Sequence, residues 1–195
     1  MNNDKVCGIL PLLNAFNNGR EKIMMERKAL VVVDMQRDYL CRERKPMFSY
    51  DTDKLVNSVN EAIAEYSGMG YDIIYIKQVF QNIITNKWFI GFTLKDTPGA
   101  ELYDGVNVVS DYSFEKYFPD TFSSKEFRAH VKHQGYSEMV LCGLDECGCV
   151  GATAKGAVKA GLKTYMLTDS IGRRFPDVKV KKMREQLGKI GVTYI

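Results

Sequence analysis

The run ALVVV at positions 29–33 constrains this chain more than any other feature. Bulky apolar residues on both parities leave no polar face. A strand made from them must be covered on both sides, as interior strands of a parallel sheet are. The run stops abruptly in DMQRD, so polar chemistry begins where the strand ends. Five more strand-like runs follow: DIIYIKQVF at 72–80, VNVVS at 106–110, EMVLCG at 138–143, KTYMLTDS at 163–170 and VTYI at 192–195.

Helical patterns separate these runs. Between positions 51 and 70, Leu55, Val56, Val59, Ala62, Ile63 and Tyr66 fall at helical spacing, and Gly68 and Gly70 close the pattern. A second helix is predicted from Ser123 or Ser124, as N-cap, to Gly135, a third behind Cys149, and a fourth around positions 178–187. Residues 80–103 read as loop. Strands alternating with helices predict an α/β fold, a parallel sheet between two helical layers. With 195 residues, one domain of ordinary core size is expected, at 28–195, preceded by an extension at 1–27 that lacks a clear period.

Composition excludes several classes. A formal charge of +3, with Lys and Arg dispersed, gives no footprint for nucleic acid, and no apolar run is long enough to span a bilayer. The apolar stretch at 6–16 has the length of a signal core but contains Pro11 and lacks a small-residue cleavage pattern. Five cysteines, an odd number, do not form a disulfide framework, so a reducing, cytoplasmic setting is expected.

Ligands of open α/β sheets bind beyond the carboxyl ends of the strands. Asp34 follows ALVVV directly, Lys116 lies a few residues past VNVVS, and Cys149 follows EMVLCG by a short loop. Each has an ordinary explanation: a turn-forming acid, a solvated amine, a small buried thiol. Their convergence on one rim is what gives them weight. At the start of a helix, Cys149 would face backbone N–H groups that stabilise a thiolate. Gly151, Ala152, Ala154, Gly156, Ala157 and Ala160 behind it would let that helix approach the sheet closely.

The ordered set ALVVVDMQRDYL, TPGAEL, KYFPDTF, CGLDECGCVGATAKGAVKAG and LTDS resembles the isochorismatase-like cysteine hydrolases, from about position 29 to the end. The resemblance implies a Rossmann-like three-layer fold with six mainly parallel strands in the order 3-2-1-4-5-6. It implies Asp34, Lys116 and Cys149 as the catalytic trio. It also implies a cis peptide between Leu144 and Asp145 that aims the backbone N–H groups of Asp145 and Cys149 at an oxyanion. Gln36, Tyr39, Trp88 and Phe122 are the candidates for the substrate pocket.

The sequence departs from that pattern in one informative place. Metal-dependent nicotinamidases of the family carry an Asp and two His after the second strand, where this chain has no histidine; His130 and His133 sit on a predicted exposed helix face. No metal and no other cofactor are therefore expected. The expected activity is hydrolysis of a C–N bond in a small amide or ureide through a thioester. The rivals are vinyl ether hydrolysis of the isochorismatase type, and a scaffold whose Cys147 and Cys149 are inert or only redox-reactive. The expected partners are a small-molecule substrate and further copies of the chain in a homodimer or homotetramer, with neither nucleic acid nor membrane.

Overall fold

β1, Arg27–Val33, shows why its sequence had to be apolar throughout. Leu30 and Val32 enter one core, while Ala29, Val31 and Val33 enter a second on the opposite face of the sheet. The structure, a computed structural model, describes residues 26–195, so nearly all of the extension assigned to 1–27 lies outside the described residues.

After β1 the order is α1 (Arg37–Leu40), α2 (Thr52–Gly68), β2 (Asp72–Gln78), α3 (Ile84–Phe89), β3 (Ser113–Lys116), α4 (Lys125–Gln134), β4 (Tyr136–Gly143), α5 (Cys149–Lys159), β5 (Lys163–Ile171), α6 (Asp177–Lys189) and β6 (Val192–Tyr194). The six strands lie in the order β3-β2-β1-β4-β5-β6, every pair parallel, which is the expected topology. The helix α2 covers one face through Leu55, Val56, Val59, Ala62, Ile63 and Tyr66. On the other face Phe127 and Val131 of α4, Val150, Ala154 and Ala157 of α5, and Leu187 of α6 close the second core.

Two local expectations fail. VNVVS is not a strand; β3 begins later, at Ser113. Three backbone groups of VNVVS are satisfied by side chains instead of a neighbouring strand. Tyr75 Oη donates to the Asn107 carbonyl at 2.8 Å and accepts from the Val109 N–H at 3.0 Å, while the Asn107 N–H bonds Asn60 Oδ1 at 2.8 Å. Val108 and Val109 are left exposed. The segment read as loop at 80–103 contains α3, a short helix with no buried residue.

The strand order reverses between β1 and β4, and both chains turn sharply there. Gly143 ends β4 at φ 100°, and a Cβ at this position would lie 2.2 Å from the Val33 carbonyl oxygen. No L side chain fits without moving β1. Gly143→Ala is expected to lower unfolding free energy by about 3 kcal/mol or more in urea titrations. Gly68→Ala, at an open helical position, should be neutral or stabilising by about 0.5–1 kcal/mol.

Candidate active site

Strand register brings the polar ends together. Gln78 is paired with Lys116 across β2 and β3, and Val33 with Gly143 across β1 and β4. Lys116 is thus the last residue of β3, not a loop residue beyond a strand. Asp34 takes a left-handed backbone (φ 54°) as the chain leaves β1. Aspartate tolerates that region better than most residues, and a non-glycine there marks a constrained position. The Asp34 N–H donates to the Ile76 carbonyl at 2.9 Å and its carbonyl accepts from the Gln36 N–H at 2.8 Å.

This turn delivers the Asp34 carboxylate to Lys116. The Lys116 ammonium donates to Asp34 Oδ2 at 2.9 Å and to Gln78 Oε1 at 2.8 Å, with Lys116 and Asp34 only 0% and 2% exposed. Asp34 Oδ1 is buried and has no hydrogen-bond partner among the described residues. Cys149, the first residue of α5, is half-buried and adjoins both charged groups. Thr121 and Thr153 tie the segment after Lys116 to α5: their hydroxyls are 2.8 Å apart, and the Thr121 N–H donates to Thr153 Oγ1 at 3.1 Å. Elements distant in sequence therefore bring acid, amine and thiol together.

Burial governs protonation here. It raises the Asp34 carboxyl above its usual range, while the Lys116 charge opposes that rise. Burial also works against the Lys116 ammonium, but the Asp34 carboxylate and Cys149 outweigh it and hold the amine more basic than usual. The Cys149 thiol is pushed well up, first by burial and then by the Asp34 carboxylate, with Lys116 pulling the other way. Burial and the neighbouring carboxylate thus act on this thiol in the direction opposite to the acidification expected from a helix terminus.

The other predicted positions divide. Burial and then the Asp34 charge raise the Tyr39 hydroxyl, whose Oη lies 3.4 Å from Thr93 Oγ1. Gln36 is not in a substrate pocket. It is fully buried, donating to the Gln78 and Ala100 carbonyls at 2.9 and 2.7 Å and accepting the Gln78 N–H at 2.8 Å. Trp88 does not line a pocket either; it stands 84% exposed on α3, a helix too short to bury a face. Phe122, partly buried, packs against the second core on Phe127, centroids 5.1 Å apart. Gly156 admits the Asp120–Phe122 turn rather than the sheet: a Cβ there would meet Asp120 Oδ1 at 2.4 Å.

The cis peptide implied between Leu144 and Asp145 is absent; no cis bond occurs among the described residues. The chain reversal is absorbed by the positive φ of Gly143. The Asp145 carbonyl closes the following turn, accepting from the Gly148 and Val150 N–H groups at 3.0 and 3.2 Å. Among the described residues, neither the Asp145 N–H nor the Cys149 N–H has a backbone acceptor. Asp145 Oδ2 accepts from Arg174 Nε at 2.7 Å and from the Tyr50 hydroxyl at 3.2 Å.

The donor set does not fit a metal ion. Among the described residues no group of three or more His, Cys, Asp or Glu could hold one, and the segment after β2 offers only Gln81, Asn82 and Asn86 near its start. His130, expected on an exposed face, nests instead against Tyr112 and Phe114, at 4.7 and 5.0 Å between centroids. Sequence reasoning missed Gln78, Tyr50 and Arg174. Gln78 had a signal: an amide at the rim end of an otherwise apolar strand. Tyr50 and Arg174 lie in irregular segments without one.

A parallel sheet between helical layers, with acid, amine and thiol gathered at the strand-order reversal, defines a protein of the Rossmann-like α/β/α class. The chain matches the isochorismatase domain over residues 28–192, and it belongs to that family. It is 22% identical to the uncharacterized isochorismatase family protein YddQ of Bacillus subtilis over 143 residues, 73% of this chain and 76% of that protein. Among solved structures it resembles the pyrazinamidase of Pyrococcus horikoshii in complex with zinc, with 26% identity, TM-score 0.73, and coverage of 87% of this chain and 98% of that one. It also shares the fold of the N-carbamoylsarcosine amidase of Thermoplasma acidophilum, with 22% identity, TM-score 0.72, and coverage of 86% and 95%. No helix among the described residues is long and apolar enough to cross a membrane.

Because the Asp34 charge raises the Cys149 thiol, Asp34→Asn should shift iodoacetamide alkylation of Cys149 to lower pH. Lys116→Met should shift it to higher pH, since the opposing charge is lost. Peptide mapping of alkylation rate against pH reads both shifts.

Proposed function

We propose that the protein hydrolyses a C–N bond of a small amide or ureide, with Cys149 as nucleophile and Asp34 as general base and acid. The observation that carries this is the buried Asp34–Lys116 pair beside the Cys149 thiol, with one carboxylate oxygen lacking a partner among the described residues. The amidase names of two similar solved structures support the bond type.

As the carbonyl carbon approaches, Cys149 gives its proton to Asp34 and its sulfur forms the C–S bond. Transfer and attack are coupled, because the thiol is not ionised beforehand. The Cys149 N–H, an unpaired donor at the first turn of α5, holds the developing oxyanion, with the Asp145 N–H as second donor. Asp34 returns the proton to the leaving nitrogen, the C–N bond breaks, and ammonia or an amine departs. Water then loses a proton to Asp34 and attacks the thioester; the C–S bond breaks and the proton restores the thiol. Lys116 stays an ammonium throughout, keeping Asp34 ionised between transfers. No step requires a metal.

A screen of amides, carbamoyl compounds and ureides for ammonia or amine release, with and without chelator, tests this. Wild type should turn over at least one compound regardless of chelator. Cys149→Ala and Asp34→Asn should each lower kcat by roughly 10³-fold or more with unchanged far-UV circular dichroism. Undiminished hydrolysis by Cys149→Ala would refute thioester chemistry. Release of a keto acid from an enol ether, without ammonia from any amide, would identify the ether hydrolase instead.

A further inference from the structure

We propose that Gln78 is a positioning residue for this site, fixing the Lys116 ammonium in the orientation that serves both Asp34 and Cys149. A lysine ammonium carries three N–H donors and no acceptor. One bonds Asp34 Oδ2 at 2.9 Å and one bonds Gln78 Oε1 at 2.8 Å, leaving the third for the adjoining thiol. Two directions fixed in a tetrahedral group set the third. Gln78 thus restricts where the remaining donor of Lys116 can point, on an ammonium that Cys149 adjoins.

Gln78 is itself held at every polar atom. An ammonium cannot accept, so the Gln78 amide oxygen must face it and its Nε2 must point away. Nε2 then lies 3.2 Å from the Lys116 carbonyl, a reciprocal pairing across the β2–β3 register. The Gln78 backbone N–H donates to Gln36 Oε1 at 2.8 Å and its carbonyl accepts from Gln36 Nε2 at 2.9 Å. Gln36 also grips the Ala100 carbonyl at 2.7 Å. A chain of buried amides therefore runs from the turn at Ala100 through Gln36 and Gln78 to Lys116. An apolar residue at 78 would leave one buried N–H of the ammonium without a partner, which favours the neutral amine.

The charged and titratable groups that bear on Lys116 are Asp34 from β1, Cys149 from α5, and Asp120 from the turn before α4. Gln78 is the neutral acceptor among them, the one whose loss alters Lys116 without adding or removing a charge.

The kinetic part of the test rests on the amidase reading, whereas the alkylation part does not. Gln78→Met removes the acceptor and Gln78→Glu keeps it. In Gln78→Met the midpoint for iodoacetamide alkylation of Cys149 should rise, because the ammonium beside the sulfur is lost more readily. For the amide found by screening, the basic limb of kcat/KM should move to lower pH, and kcat should fall about 10- to 100-fold with KM nearly unchanged. Gln78→Glu should restore the basic limb to wild type or beyond. Folded Gln78→Met with the wild-type alkylation midpoint would overturn the assignment. So would equal loss of activity in both variants with neither pH profile displaced, the mark of a merely structural amide. Should Gln78→Met not fold, Gln78→Asn, whose amide falls one methylene short of Nζ, must show the same alkylation shift, and an unmoved midpoint there refutes the proposal. If wild type hydrolyses no amide, the functional reading fails while the alkylation curves still decide the role of Gln78.

Discussion

A carboxylate and an ammonium, almost wholly removed from water, face each other at the ends of β1 and β3. Everything else in the site depends on that pair. Neither charge is tolerable alone in such a place; removing one partner of a buried pair typically costs about 3–5 kcal/mol. The fold must therefore hold both ends in register through the intervening strand, and β2 does so with Gln78 beside Lys116. The left-handed turn at Asp34 and the steric contact of Gly143 with Val33 answer the same demand at the strand-order reversal.

The pair explains the state of the thiol. Loss of water and the Asp34 carboxylate both raise the Cys149 thiol, while the Lys116 charge opposes them. In the proposed mechanism the unpartnered Asp34 oxygen is the proton acceptor, and Lys116, bonded to the other oxygen, stabilises the carboxylate. The first turn of α5 supplies an N–H without a backbone acceptor among the described residues, the donor that the proposed mechanism assigns to the oxyanion.

Much of this was legible in the sequence. ALVVV, EMVLCG and the small-residue helix name the central strands and the helix behind the thiol, because doubly buried strands and closely packed helices admit few residue types. Asp34, Lys116 and Cys149 were legible as rim residues through their order along a recognisable pattern. What could not be read depends on contacts between remote segments. VNVVS has strand composition, yet Tyr75 and Asn60 take its backbone groups. Gln36 looks like a rim polar residue, yet the Gln78 backbone and the Ala100 carbonyl engage both of its amide donors and its amide oxygen. Trp88 looks like a pocket aromatic, yet α3 presents it to solvent.

The most direct measurement of the central claim is a carbon-13 NMR titration of the Asp34 carboxyl, assigned by its loss in Asp34→Asn. The account predicts a midpoint above the usual aspartate range, a carboxylate at neutral pH, and a further upward displacement in Lys116→Met. A midpoint at or below the ordinary aspartate value, or one that ignores the loss of Lys116, would contradict it.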